Sequence, residues 1–194
     1  MDPDDAELIG RSLHGDEDAF VEVVRRHEAA VGAYLARRVG RDLAEDLLGE
    51  VWVAALTSRA AYDRSFPDAR PWLFGVAHNT LRRHWRSRPD TEEPLADVTD
   101  ITDRASGWDP WAAVDSRVDV ESVLRQALAL LRPQQREILT LVAWEDLTVA
   151  DAGRAIGVPP GTARRYLHEA RMALRNAPGM AALLTDHNTI KEAN

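Results

Sequence analysis

Residues 147–174 read LTVADAGRAIGVPPGTARRYLHEARMAL, and this stretch decides the fold. Thr148 can cap a short helix in which Ala152, Ala155 and Ile156 are small and apolar, a composition that lets a second helix cross closely. Gly157 supplies the turn, Val158 plugs the core, and Pro159-Pro160 open the second helix, where a missing proline N–H costs nothing. Along that helix Ala163, Leu167, Ala170 and Leu174 recur at three- to four-residue spacing and face inward. Thr162, Arg164, Arg165, His168 and Arg171 are left outward or on the flanks. This is a helix-turn-helix pattern, and side chains near the start of such a second helix read base edges in a major groove, arginine to guanine most often. An ordinary helical hairpin with solvated arginines has the same periodicity, so the distribution of charge has to be weighed next.

The chain of 194 residues carries a formal net charge of −8. Two segments reverse that sign locally. Residues 70–88 hold Arg70, Arg82, Arg83, Arg86 and Arg88 with no carboxylate, and residues 152–176 hold Arg154, Arg164, Arg165, Arg171 and Arg175 against Glu169 alone. Local sign is what an anionic polymer feels, so two basic elements suggest two grips on one nucleic acid. Residues 89–121 contain ten acids against Arg104 and Arg117, a balance of −8 that equals the charge of the whole chain. The acidic total therefore says little against DNA binding. Arginine outnumbers lysine 23 to one, with Lys191 the single lysine; the bias suits bidentate phosphate contacts but equally follows from an Arg- and Ala-rich composition.

With 45% hydrophobic and 29% charged residues the chain reads as globular. Helical periodicity runs nearly throughout, and no stretch alternates with the period of a strand. The spacing predicts helices over about 4–14, from Asp16 or Asp18 to Gly40, from Asp42 to about Ser58, 71–88, 117–131, 134–145, 148–156 and 160–176. The second buries Phe20, Val23, Val24, Val31, Leu35 and Val39. The third has Leu43, Leu47, Val51, Val53 and Leu56 as its apolar positions. Between 89 and 115 the sequence PDTEEPLADVTDITDRASGWDPWAAVD loses periodicity and gains Pro, Gly, Asp and Thr, as a linker does. Fully extended, its roughly 27 residues reach at most ~90 Å, so the two halves need not touch. Residues from Ala177-Pro178-Gly179 onward read as a loosely attached extension. The expected fold class is all-α: two small helical domains joined by a flexible acidic linker, with boundaries 1–88, 89–116, 117–177 and 178–194.

On the helix from Pro71, the residues Leu73, Val76, Ala77, Thr80 and Leu81 form one face. His78, Asn79, Arg82 and Arg86 fall opposite, Arg83 lies at the border, and Trp72 and Trp85 flank the polar side. Guanidinium groups beside rings and an amide suit a strand with unstacked bases, the charges following phosphates and the rings taking bases. Either Trp could instead be a core or rim residue. The helix from Asp42 carries an acidic edge of Asp42, Glu45, Asp46 and Glu50, which could be solvated or could dock a basic partner helix.

Catalysis is not expected. His27-Glu28 lacks the following His of a zinc protease, and His78 and His84 lie on different helix faces, so neither pair suits a metal. No Gly-rich phosphate loop or nucleophile pair occurs. Cysteine is absent, which excludes disulfides and thiolate metal sites and fits a cytoplasmic location. No apolar run is long enough to span a membrane, and the acidic start MDPDDAELIG is unlike a signal peptide. No cofactor or metal is implied.

These segments, in this order, resemble the bacterial extracytoplasmic-function (ECF) sigma factors, subunits of RNA polymerase. DAFVEVVRRHEAAVGAYLARRVG with DLAEDLLGEVWVAAL resembles the opening of the family's second domain, PWLFGVAHNTLRRHWR its promoter-melting helix, and LRPQQREILTLVAWEDLTVADAGRAIGVPPGTARRYLHEARMALR its fourth domain. The resemblance covers roughly 16–88 and 117–176. It implies a non-catalytic specificity subunit whose sigma domain 2 is a helical bundle and whose sigma domain 4 is a helix-turn-helix. On that reading Asp42, Glu45, Asp46 and Glu50, with Leu47 as an apolar contact, bind the clamp coiled coil of the largest polymerase subunit. Asp63 in the loop 63–68, with Trp72, Asn79, Arg82, Arg83 and Arg86, receives the melted −10 element, Asn79 matching the family asparagine near a flipped-out base. Thr162, Arg164, Arg165, His168 and Arg171 read the −35 duplex. Core RNA polymerase (clamp, and flap of the second-largest subunit) and promoter DNA are the implied partners, an anti-sigma factor a further one, and a membrane is not. The acidic linker would thread a basic channel inside polymerase. Gly49, Pro160, Ala163, Arg165 and Tyr166 depart from the family's common residues, so its −35 preference is not transferable. A stand-alone helix-turn-helix regulator would account for 117–176 but leave 16–88 without a purpose.

Overall fold

A computed structural model of the chain describes residues 2–87 and 114–179, with side chains from residue 122 onward in the second stretch. The expected linker falls largely outside these residues, as does the tail from 180.

The first half contains α1 (Asp5–Leu13), α2 (Glu17–Val39), α3 (Arg41–Ser58), a 3-10 turn (Arg59–Ala61) and α4 (Arg70–Arg86). The second contains α5 (Val114–Ala129), α6 (Pro133–Ala143), α7 (Val149–Ala155) and α8 (Pro160–Arg175). All described regular structure is helical, as the periodicity predicts, although α5 begins at Val114, inside the stretch read as linker. Local chemistry sets the ends. Asp4 and Asp16 accept the Glu7 and Ala19 amides at 2.8 and 3.2 Å, and Thr148 caps α7 through the Asp151 amide, each satisfying an orphan donor of a first turn. Gly40 sits between α2 and α3 at φ +79°, a conformation that is inexpensive only without a β-carbon.

α2, α3 and α4 pack around Val23, Tyr34, Leu35, Val51, Leu73, Phe74 and Leu81, all fully buried. Leu47 belongs to this core at 1% exposure, so it is not available as a surface contact. The large apolar side chains that α3 does expose are Val53 (66%) and Leu56 (43%), two positions the sequence pattern places on the apolar side. In the second half, α7 crosses α8 so closely that a β-carbon on Gly153 would lie 3.0 Å from the Ala163 methyl. This is the close crossing expected of the helix-turn-helix, with Gly153 joining Ala152 and Ala155 as the small residues that permit it. The start of the expected loose tail is also seated: Ala177 is buried against Ala127, and a β-carbon on Gly179 would meet Val123 at 3.0 Å.

The two halves touch extensively, contrary to what a long linker permits one to assume. The main hydrophobic cluster runs from the first half into Ile138, Leu141, Ala152 and Ala155 of the second. α4 lies against α7, and a β-carbon on Gly75 would come within 2.9 Å of the Ala155 carbonyl oxygen. Linker length only bounds the separation of tethered domains; complementary surfaces decide where they rest.

Candidate nucleic-acid interface

α4 presents its two faces much as the sequence predicts. Leu73, Ala77, Thr80 and Leu81 are buried, and Asn79, Arg82, Arg83 and Arg86 are exposed. Trp72 and Trp85 are half-buried, each packed against the core. His78 departs from the expectation. It leaves the solvent-facing side, with 13% of its side chain exposed, and its Nδ1 lies 3.6 Å from Glu137 of the second half.

The loop before α4 is tied down by a residue that the sequence reading did not single out. Asp5, nearly buried, accepts the Ala69 amide at 3.0 Å, bonds His27 Nε2 at 2.7 Å and pairs with Arg26 at 3.3 Å. Burial alone would raise its carboxyl, but the His27 bond and the Ala69 amide outweigh that and hold it below its ordinary value. Within the loop, Asp63 accepts the Ser65 amide at 3.0 Å and Asp68 the Arg70 amide at 2.8 Å. The Tyr62 hydroxyl donates to the Phe66 carbonyl, and burial pushes Tyr62 up to about 12, so it remains a neutral donor.

Loop and helix together enclose a cleft of about 450 Å³. Asp63 and Asn79 supply its polar edges, and Tyr62, Phe66 and Trp72 its aromatic walls. Tyr62 and Trp72 pack with ring centroids 5.2 Å apart. Aromatic faces with a few convergent polar groups are what an unstacked base requires. Tyr62 and Phe66 were legible only as aromatics in a loop; nothing in the spacing tied them to Asn79. The far wall comes from the second half. Arg154, ion-paired with Asp151, lies with its guanidinium 3.7 Å from the Phe66 ring centroid, and Ala155 closes the rim.

On α8, Ala163, Leu167 and Ala170 are buried while Arg164, Arg165, His168 and Arg171 are exposed and Thr162 is half-buried. The helix thus turns one cationic face outward. One oxygen of Glu169 accepts from Gln135 and Arg132, at 2.6 and 2.9 Å, and the other lies 3.9 Å from Arg165 on that face. Along α3, Asp42, Glu45, Asp46 and Glu50 are all exposed. Glu50 pairs with Arg83 of α4 at 2.8 Å, so the acidic edge and the basic helix are neighbours.

Where the halves meet, charge is buried. Glu137 accepts the Tyr34 hydroxyl at 2.7 Å and Arg38 at 3.1 Å. Arg38 also bonds Thr140 at 3.0 Å and the Tyr34 carbonyl at 3.1 Å, and its guanidinium lies over the Tyr34 ring. Desolvation would raise the Glu137 carboxyl, yet the charge of Arg38, helped by His78 and Tyr34, brings it down to about 2. A second pair, Arg37 with Glu145, closes the rim; burial raises Glu145 despite Arg37.

Comparison with known proteins agrees with this architecture. The Sigma-70 region 2 family matches residues 23–89 and the Sigma-70 region 4 family residues 122–174. The RNA polymerase sigma factor CarQ of Myxococcus xanthus is 33% identical over 87% of this chain and 94% of its own length. The ECF RNA polymerase sigma factor SigF of Caulobacter vibrioides is 33% identical over 86% and 89%. Among solved structures, CnrH in complex with the cytosolic domain of CnrY superposes with a TM-score of 0.60 at 22% identity, covering 94% of this chain and 97% of that one. At that identity the likeness speaks to the fold. Two helical modules in this order, each presenting arginines, and full-length similarity to these proteins place the chain in the ECF family of RNA polymerase sigma factors.

Proposed function

We propose a division of labour within this sigma factor, in which each surface described above has one ligand. The chain binds core RNA polymerase and directs initiation at promoters, α4 and its cleft receiving the melted −10 strand and α8 reading the −35 duplex. The observation that carries the reading is the cleft itself: Asn79 and three aromatic rings line it, and the exposed Arg82 and Arg86 follow Asn79 at about one and two turns along the same helix, so that bases and phosphates of one unstacked strand can be held in sequence. Arg83 serves the same strand, although its bond to Glu50 must be given up or shared. Arg164, Arg165, His168 and Arg171 form the duplex-reading face, with Thr162 at its entry.

The exposed carboxylates Asp42, Glu45, Asp46 and Glu50 are proposed to meet the clamp coiled coil of the largest subunit. Leu47 drops out of that set because it is buried, and Val53 or Leu56 is the apolar candidate in its stead. The second half is proposed to meet the flap of the second-largest subunit. No described helix is long and apolar enough to cross a membrane, and action inside the cell follows from the polymerase partner. The work is recognition rather than catalysis. A stand-alone regulator is disfavoured, since the relatives match both halves.

Run-off transcription with purified core polymerase on a genomic promoter library tests the reading. Discrete transcripts that depend on the chain are expected. Stable binding to duplex DNA with no transcript from any promoter would return the assignment to a stand-alone regulator.

A further inference from the structure

The loop on one side of the cleft, residues 62–69, belongs to no helix, so its shape has to be imposed by neighbours. It turns Asp63 and Phe66 toward the cleft, and three contacts hold it from behind. The Tyr62 hydroxyl closes it on itself at the Phe66 carbonyl. Arg64 runs across α1 over Gly10, where a β-carbon would lie 3.1 Å from a guanidinium nitrogen. Asp5 does the most. Its backbone amide donates to the Pro67 carbonyl at 3.1 Å, and its carboxylate accepts the Ala69 amide at 3.0 Å. One residue of α1 thus grips both peptide groups that flank Asp68.

Asp5 is itself held by α2. His27 Nε2 lies 2.7 Å from the oxygen that takes the Ala69 amide, and Arg26 lies 3.3 Å from the other. Arg26 also donates to the Pro3 carbonyl at 2.9 Å, fixing the chain just before α1. Ligand atoms of Asp5, His27 and Asp68 lie within 4.8 Å of one another, a spacing that would suit a cation. Yet Asp68 already accepts the Arg70 amide at 2.8 Å, and Arg26 brings Asp5 the positive charge that a cation would bring. The set serves the loop rather than a metal.

We propose that Asp5, oriented by His27 and Arg26, is a positioning residue for base recognition: it fixes the backbone over Pro67–Ala69, and with it the placement of Asp63 and Phe66 against Asn79 on which discrimination among −10 bases depends. The inference rests on the reading of the cleft as the −10 site. A loop ordered before the strand arrives does not have to be ordered on binding. It also selects more sharply, because a loop able to shift lets a wrong base find partners.

The test uses holoenzyme and a duplex pool randomised over the −10 and −35 segments of a promoter from which it initiates, sequenced after selection for transcript formation. Asp5→Ala keeps the backbone bond to Pro67 and loses the rest. It should flatten the preference at one or two −10 positions about fivefold, the low end for a lost base contact, with −35 preferences and capture of core polymerase unchanged. His27→Ala should act in the same direction, and His27→Gln, which keeps a donor near the place of Nε2, should restore the parent profile. Leu8→Ala loosens the buried side of α1 without removing a bond to the loop, so it should lower the melting temperature and leave every preference as in the parent. Equal flattening in Leu8→Ala, or an unchanged −10 profile in Asp5→Ala, would overturn the proposal. Asn79→Ala separates the two levels. If it flattens −10 selection while Asp5→Ala does not, positioning fails and the cleft stands. If neither variant does, the reading of the cleft fails and this inference falls with it.

Discussion

α4 and α8 are both arginine-rich helices with one buried face, yet their surroundings in this fold differ sharply. The outward face of α8 is open, with Arg164, Arg165, His168 and Arg171 exposed and Glu169 shared among Gln135, Arg132 and Arg165. α4 is flanked by Glu50 on one side and by the second half on the other, and the cleft beside it is partly filled by Arg154. The same composition thus yields one arginine face that is open and one that is hemmed in. What differs is the neighbour, and neighbours are set by packing rather than by helical propensity.

The largest effect should come from cutting the contact that hems in α4. Glu137→Ala strands Arg38 without its partner in a buried site, which costs about 3–5 kcal/mol. Hydrogen exchange at the α4–α7 contact should accelerate accordingly while the α2–α3 pair stays protected. Uniform acceleration across both halves would mean that they unfold as one unit, and the contrast between a hemmed-in and an open arginine face would lose its basis.

Next in size, Arg82→Ala with Arg86→Ala should impair promoter opening more than polymerase binding. The slope of log affinity against log salt for single strands should fall by about 0.7 per arginine that meets a phosphate. Equal loss of opening and of polymerase binding would argue that these arginines serve docking instead.

For the open face, Arg164→Ala or Arg165→Ala should each relax discrimination at the −35 element by about 1–3 kcal/mol if it contacts a base. Duplex selection in the Glu137→Ala background should be the same as in the parent. If breaking the contact between the halves changes duplex selection, the two faces are not independent.

Acid should act on the contact between the halves and also on Asp5, whose carboxyl is likewise held below its ordinary value. The Glu137 carboxyl is held at about 2 in the closed form against an ordinary 4.5, so its contribution is complete above about 4.5 and is lost as pH falls toward 2. Arg38, raised by the charge of Glu137 against the cost of burial, stays charged over that range, while Glu145, which burial raises, opposes the trend by favouring its neutral form. The radius of gyration of the full chain, read by small-angle scattering, should grow on acidification before the helices melt, and Glu137→Gln should flatten that response. The smallest change is expected from charge reversal at Asp46 and Glu50. Being exposed, they should hardly alter folding, so weaker capture by core polymerase is the readout, and unaltered capture would move the docking surface elsewhere.

Much of this was visible along the chain. Asp16, Gly40, Pro71, Thr148 and Pro160 mark ends that the helices respect, because caps and breakers act within one turn. The inward row Ala163, Leu167, Ala170 was legible because three- to four-residue spacing is a property of the helix itself. Leu47 was misassigned for the opposite reason. An apolar residue beside acids reads equally as core or as contact until the neighbouring helix is known. His78 sat on the polar side of a helical wheel, but the wheel has no knowledge of Glu137 coming from another segment. Asp5 carried no signal at all: a carboxylate in the first turn of a helix looks like a dipole partner, and its hold on Ala69 appears only when the loop returns to it.

By itself, then, the sequence determined the helices, their caps, the helix-turn-helix and the two arginine faces, since each depends on residues a few positions apart. Only the tertiary structure decided that the halves close on one another. The Tyr34–Glu137 bond spans 103 residues, and a contact at that separation depends on the shape and charge of two finished surfaces, which no local pattern encodes.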